Sequence, residues 1–313
     1  MPKISVIIPI FKVENYIERC ARSLFEQTLE DIEYIFIDDS SPDKSLDILN
    51  KVLKDYPIRQ SQVTIFKMER NRGQAAVREF GVKHATGDYI IHCDSDDWLD
   101  VNAYQDMYNV AIKEKADMVV CDFCYVNNGN KARFLGCHDT EKTRFFNNLL
   151  LQKDCGCLWN KMFRRGCYQN MIWPNGDMGE DLLMCLQLIY NSNKVTYQPE
   201  ALYYYNMNSS SISTNMDKEA VIHRFKQSLL NADLLVDFFK KKNILNQYHE
   251  EVDRMLFNKK NLLRPLIREK KYYKLWMSTF PDLNYKILFN RQVSLGMKVK
   301  HILALMNLYH KTW

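Results

Sequence analysis

Over its first 125 residues the chain repeats one pattern, a short, predominantly apolar run followed by an amphipathic stretch. The runs cover residues 4–8, 32–37, 63–67, 89–93 and 118–125. Between them, 13–27, 44–56, 74–84 and 101–114 carry apolar residues at helical spacing, as Ile17, Cys20, Ala21, Leu24 and Phe25 do in the first. Strands that are apolar on both faces rather than in strict alternation bury both faces, which predicts a parallel sheet covered by helices on both sides, an α/β fold. Ligands of such sheets bind in the crevice beyond the carboxyl ends of the strands.

Each strand end carries residues suited to that crevice: Pro9-Ile10-Phe11, Asp38-Asp39-Ser40-Ser41, Glu69-Arg70-Asn71-Arg72-Gly73, and His92-Cys93-Asp94-Ser95-Asp96-Asp97-Trp98. The last is the most unusual, with three carboxylates in four residues. Packed carboxylates repel and burial disfavours their charge, so a divalent cation is the natural way to keep them ionised together. Oxygen ligands of this kind suit Mg²⁺ or Mn²⁺, which keep waters and share their site with substrate phosphates. A solvated acidic turn capping the helix near Val101 accounts for the same residues. Asp38-Asp39 likewise reads either as a turn or N-cap, or as an acceptor for a nucleobase N–H.

Taken together, Ile8-Pro9-Ile10-Phe11, Ile37-Asp38-Asp39-Ser40-Ser41-Pro42-Asp43, Asn71-Arg72-Gly73-Gln74-Ala75-Ala76-Val77-Arg78, Thr86-Gly87-Asp88-Tyr89 and Asp94-Ser95-Asp96-Asp97-Trp98-Leu99 resemble the family 2 glycosyltransferases of GT-A fold. Leu158-Trp159-Asn160-Lys161-Met162-Phe163 and Gly179-Glu180-Asp181 extend the resemblance to about residue 210. It implies a Rossmann-like nucleotide-binding sheet and inverting transfer of a sugar, from a UDP-sugar, to a glycan or lipid-linked glycan. Pro9, Phe11 and Glu14 would line the nucleotide pocket, with Asp38, Asn71 and Ser95 also on the donor side. Asp39 would pair with the base, and Gly73 would let the backbone approach the nucleoside. Arg78 would steady the acidic cluster or a phosphate. Asp94 would reach ribose or the metal and its water, Asp96 would ligate the metal, and Asp181 would be the general base with Glu180 beside it. The family commonly has Gly where this chain has Ser40. Two other readings are a sugar nucleotidyltransferase, which lacks its glycine-rich loop after the first strand, and a catalytically silent nucleotide- or glycan-binding protein.

Charge divides the chain. From Lys218 onward there are 19 Lys and Arg against 8 Asp and Glu, whereas the first 217 residues are net acidic. This sets a boundary near 215, with Ser209-Ser210-Ser211-Ile212-Ser213 as a linker. The expected units are thus a catalytic 1–215, with a nucleotide half 1–125 and an acceptor half 126–215, and a basic, mainly helical 216–313. Helical patterns cover 218–242 and 247–263, and Val299, Ile302, Leu303, Met306 and Tyr309 form a further stripe. Arg264, Arg268, Lys270, Lys271 and Lys274 interleave with Tyr272, Tyr273 and Trp276, as in a segment peripheral to an anionic membrane. No nucleic-acid module is recognisable. Without a signal peptide or spanning segment, the expected location is cytoplasmic, peripheral at most to the membrane's inner face. Cys121-Asp122-Phe123-Cys124 and Cys155-Gly156-Cys157 read as buried thiols, since the second spacing is too tight for a zinc pair. Lys161 is read as exposed, or as meeting donor phosphate or acceptor.

Overall fold

The computed structural model describes residues 1–127, 130–134, 140–207 and 217–306. The serine-rich stretch expected as a linker, and Tyr309, lie outside these residues. In chain order the elements are β1 (Ile4–Ile10), α1 (Ile17–Phe25), β2 (Ile32–Asp38), α2 (Ser45–Leu53), β3 (Val63–Lys67), α3 (Gln74–His84), β4 (Tyr89–His92), β5 (Trp98–Leu99), α4 (Ala103–Lys113), β6 (Met118–Asn127), β7 (Asn130–Phe134), α5 (Lys142–Leu150) and β8 (Lys161–Arg164). There follow α6 (Glu180–Asn191), β9 (Val195–Asn206), α7 (Lys218–Lys241), α8 (His249–Lys260), α9 (Lys270–Ser278), α10 (Leu283–Phe289) and α11 (Leu295–Leu305).

The strands form one sheet in the order β3-β2-β1-β4-β8-β6-β9-β5, with β7 on β6. The first four strands are parallel as expected. The whole sheet is not: β8 inserts antiparallel between β4 and β6. Four residues are too few to show an alternation, yet Met162 and Phe163 point to opposite faces and join different cores. On one face Val6, Ile8, Phe36, Ile91 and Met162 pack with α1, α2 and α4. On the other, Ile7, Ile37, Ile90 and Phe163 pack with α3, α5 and α6, and this core runs on through Leu235, Phe238 and Phe239 of α7 and Met255 and Phe257 of α8. The C-terminal helices thereby share a core with the sheet. Among the described residues, no helix is long and apolar enough to cross a membrane.

Trp276 and Tyr272 of α9 are buried, Trp276 in a small core with Phe225, Leu263, Ile267 and Ala304. This overturns the expectation that these two aromatics stand at an interface. Beside them His301 of α11 is fully buried, its Nε2 meeting the Asn284 carbonyl at 3.0 Å. Burial pushes its pKa down to about 4, with Lys260 and Arg264 pushing the same way against the Asn284 hydrogen bond. The unfolded chain therefore binds a proton that the folded chain refuses between about pH 6.5 and 4. Stability should fall as pH drops through that window, and His301→Gln should flatten this limb in thermal unfolding followed against pH. Parallel pH slopes for the two proteins would show that the imidazole titrates alike in both states.

Candidate active site

The loops leaving β1 and β2 are stitched together by hydrogen bonds. The backbone N–H groups of Lys12, Val13 and Glu14 donate to Ser41 Oγ, Ser45 Oγ and Asp43 Oδ2 at 2.8, 3.0 and 3.0 Å. The Glu14 carboxylate accepts from the Lys44 N–H at the start of α2. Burial pushes the Asp43 pKa upward, but bonds from Ser41, Ser45 and the Glu14 backbone outweigh it and hold it below its ordinary value. A turn at Val13, whose carbonyl accepts the Tyr16 and Ile17 N–H groups at 2.8 and 2.9 Å, leads from this stitching into α1 at Ile17. Phe11 is 40% exposed at the strand end, beside a half-buried Pro9.

Asp38 and Asp39 are both buried. Asp38 Oδ1 accepts the Ser41 N–H at 2.9 Å, closing the turn. The two Asp39 oxygens accept the backbone N–H groups of Arg72 and Gly73 at 2.7 and 2.9 Å, tying the β2 end to the loop before α3. Ser40 has φ 54°, the left-handed region that glycine favours, and its hydroxyl donates to the Met68 carbonyl at 2.6 Å. The departure from glycine therefore keeps the turn, with a side-chain bond offsetting the backbone cost. Gly73 has φ 82°, and a Cβ there would lie 2.3 Å from Asp177 Oδ2. The close approach that glycine permits in this structure is thus to Asp177, whose Oδ1 accepts the Ala75 N–H at 3.1 Å. Asp177 caps α3 from 102 residues away, which no local pattern announces.

At the centre is Arg78 of α3, with its side chain 1% exposed. Its guanidinium meets Asp94 at 2.9 Å, Glu180 at 3.2 Å, and Asp181. Gln74 Nε2 adds a 3.2 Å bond to the same Asp94 oxygen. Burial alone would lower the Arg78 pKa, but the charges of Asp181, Asp94 and Glu180 more than reverse it. Glu180 is buried; desolvation first and the Asp181 charge second raise its pKa to about 8, against Arg78. Desolvation likewise raises Asp181, with Arg78 opposing. The pair differs in access, since the Asp181 side chain is 27% exposed and that of Glu180 only 8%. The loop leading to them is held from α7: Asn231 Nδ2 donates to the Gly176 carbonyl at 2.7 Å, and Gln227 Oε1 accepts the Asp177 N–H at 3.2 Å. Lys259 of α8 lies against Gly179, where a Cβ would come within 2.8 Å of its Nζ, and burial lowers its pKa despite Glu180. Sequence reading missed Gln74, Asp177, Gln227, Asn231 and Lys259, all of which act across long chain separations.

The acidic turn is divided by its surroundings. Asp97 is buried and accepts from Tyr203 Oη at 2.6 Å and from the Asn206 N–H at 2.7 Å. Desolvation, with Asp96 and Asp94 behind it, raises its pKa well above normal. Ser95 is buried, whereas Asp94 and Asp96 are half-buried, Asp94 turned toward Arg78 and Gln74. The turn is also clamped by Arg19, whose guanidinium stacks 3.5 Å from the Trp98 ring centroid and donates to the Asp96 carbonyl. Trp159 stacks on Tyr203. Lys161 is neither exposed nor open to a phosphate. It is buried, donating to the carbonyls of Cys155 and Cys157 and to Asn160 Oδ1. His92 is a packed strand residue bonded to Tyr168 Oη.

The sequence profile of glycosyl transferase family 2 matches residues 5–171, the span that supplies Asp39, Arg78, Asp94 and Asp96. The chain is a member of glycosyl transferase family 2. This family 2 chain is 28% identical over 262 residues to the putative glycosyltransferase EpsH of Bacillus subtilis, covering 80% of the chain and 73% of EpsH. Its fold matches S. aureus TarS 1–349 in complex with UDP-GlcNAc, with TM-score 0.61 and 18% identity over 98% of this chain and 89% of that one. It also matches the mannosyltransferase PcManGT of Pyrobaculum calidifontis in complex with GDP-Man and Mn²⁺, with TM-score 0.54 and 14% identity over 100% and 88%.

Arg78 is the feature most exposed to mutation. Replacing it by Met would leave carboxylates from three positions facing one another without their shared cation. Removing one partner of a buried ion pair costs about 3–5 kcal/mol. Urea unfolding of Arg78→Met should show a loss of that order, and a loss below about 1 kcal/mol would mean the carboxylates relax into water.

Proposed function

We propose that this family 2 glycosyltransferase carries out inverting transfer of a sugar from a UDP-sugar to a hydroxyl of a glycan or lipid-linked glycan. The observation that carries the reading is the two-sided grip of Arg78, which joins Asp94 at the end of β4 to Glu180 and Asp181 at the start of α6. A donor over the strand ends and an acceptor beside α6 then meet at one guanidinium.

Asp181 is the general base. It is the accessible member of its pair, Arg78 engages one of its oxygens and leaves the other, and its raised pKa makes it a stronger acceptor for the hydroxyl proton. Glu180, buried beside Asp181, has its pKa pushed up by desolvation and by the Asp181 charge, so it is more easily protonated than a solvated glutamate would be. The donor side is built from Pro9, Phe11, Glu14, Asp38, Asp39, Asn71 and Ser95, with Gly73 holding the loop against Asp177. Each Asp39 oxygen has a lone pair beyond the one given to a loop N–H, which suits a nucleobase N–H. The uridine assignment takes its support from the UDP-GlcNAc bound by the structurally similar TarS.

Asp94 and Asp96 fit a divalent metal: both are carboxylates, both are half-buried, and they lie two residues apart on one turn. Among the described residues no group of three potential ligands stands together, so such an ion would take its remaining ligands from water and phosphate oxygens. When bound, Mg²⁺ or Mn²⁺ supplies positive charge to the departing diphosphate. The chain's own part is to hold Asp94 through Arg78 and Gln74, and Asp96 through a turn braced by Asp97, Tyr203 and Arg19.

Two substitutions test this. Asp96→Asn should abolish metal-dependent release of UDP from UDP-sugars while leaving the melting temperature close to that of the parent; near-normal turnover that still needs metal would remove Asp96 from the site. Asp181→Asn should lower transfer by roughly a hundredfold or more, the scale of general-base contributions, with UDP binding nearly intact. Weak UDP binding with normal turnover would move Asp181 to the donor side.

A further inference from the structure

Helix α11 is apolar on two sides. One side is packed: His301 and Ala304 are buried, Met297 Sδ accepts from Arg254, and the Leu305 carbonyl accepts from Tyr273 Oη. The other side carries Leu295, Val299, Ile302 and Met306, which step by four, three and four residues along one helical face and are 78, 48, 41 and 62% exposed. The adjoining α10 adds Tyr285 and Phe289, four residues apart and 68 and 84% exposed. Single exposed apolar residues need no explanation, but a full helical stripe with a neighbouring aromatic pair marks an interaction surface.

The charges around it select the partner. From Leu283 to the C-terminus the chain contains Lys286, Arg291, Lys298, Lys300 and Lys311 and not one Asp or Glu. Lys286 pairs with Asp282 at 3.6 Å and Arg291 with Glu250 at 3.9 Å, both on the surface where such pairs are weak. A second copy of this face would bring like charges together, whereas an anionic lipid surface accepts the apolar stripe and the flanking lysines at once. At eleven residues α11 reaches only about half the thickness of a bilayer's hydrocarbon core, which suits lying in an interface rather than spanning it.

We propose that the exposed faces of α10 and α11 dock the protein on an anionic membrane surface, with Leu295, Val299, Ile302 and Phe289 entering the headgroup boundary. The proposal rests on the lipid-linked acceptor reading for its purpose. Binding is measured without turnover, so the two can fail separately. The face takes up Val299, Ile302 and Met306 of the apolar stripe read from the sequence, and not the Arg264–Trp276 segment, because Tyr272 and Trp276 of that segment are turned inward.

The test is sedimentation of the full chain with phosphatidylcholine vesicles, with and without phosphatidylglycerol, at low and high salt. The parent should pellet with phosphatidylglycerol at low salt and be released as salt rises. The combined variant Leu295→Ser, Val299→Ser, Ile302→Ser should bind at least about tenfold more weakly, given what burial of such side chains contributes. Lys286→Gln with Lys298→Gln should cost about fivefold per charge. Circular dichroism and melting temperature establish folding, and Phe289→Ser, at the most exposed of these positions, gives a second reading should the combined variant unfold. Equal pelleting of parent and variants, or none with phosphatidylglycerol at low salt, would overturn the proposal. So would a concentration-dependent dimer in sedimentation velocity that the combined variant dissolves without lipid binding.

Discussion

The buried guanidinium of Arg78 is the constraint on which the site depends. A desolvated arginine persists only where carboxylates surround it, and these come from the end of β4 and the first turn of α6. Three carboxylates around one cation also leave an excess of negative charge, which the raised pKa of Glu180 relieves. A lysine could not replace it, because one ammonium lacks the planar fork that reaches two elements at once. The end of β4 and the start of α6 are therefore mechanically joined, and neither carboxylate group can shift without disturbing the other.

The loop before α6 is the second dependency. Asp177 binds the N-terminus of α3 on one side, while Gln227 and Asn231 of α7 grip the same loop on the other. Asn231 is buried and Gly176 would clash with Gln227 if it carried a side chain, so this contact is tightly specified. The basic C-terminal helices thereby do more than cover the sheet. They hold in place the turn that presents Glu180 and Asp181, and α10 and α11 remain free to face outward.

The acidic turn shows how one composition serves several ends. Asp94 belongs to Arg78, Asp97 is an internal acceptor for Tyr203 and the Asn206 backbone, and Asp96 is half-buried on a turn these contacts brace. A run of like residues in sequence is thus three different electrostatic environments in space, and only burial and hydrogen-bond partners tell them apart.

Much of this was legible in the chain itself. Predominantly apolar runs announced β1, β2 and β4 as interior parallel strands, because a sheet covered on both faces buries such runs, while β3, with Thr64 and Lys67, takes the edge of the sheet. The short-range turns at Asp38-Asp39 and Asp94–Asp97 were visible for the same local reason. Tertiary structure decided what depends on distant partners. It set β8 antiparallel within the sheet, since four residues carry no readable period, and it buried Lys161 among carbonyls of its own loop. It turned Trp276 inward and left Phe289 and the Leu295 stripe outside, although both segments mix aromatic or aliphatic residues with lysines. Periodicity records which faces of an element are apolar; which of those faces finds a neighbour is determined by packing across the whole chain.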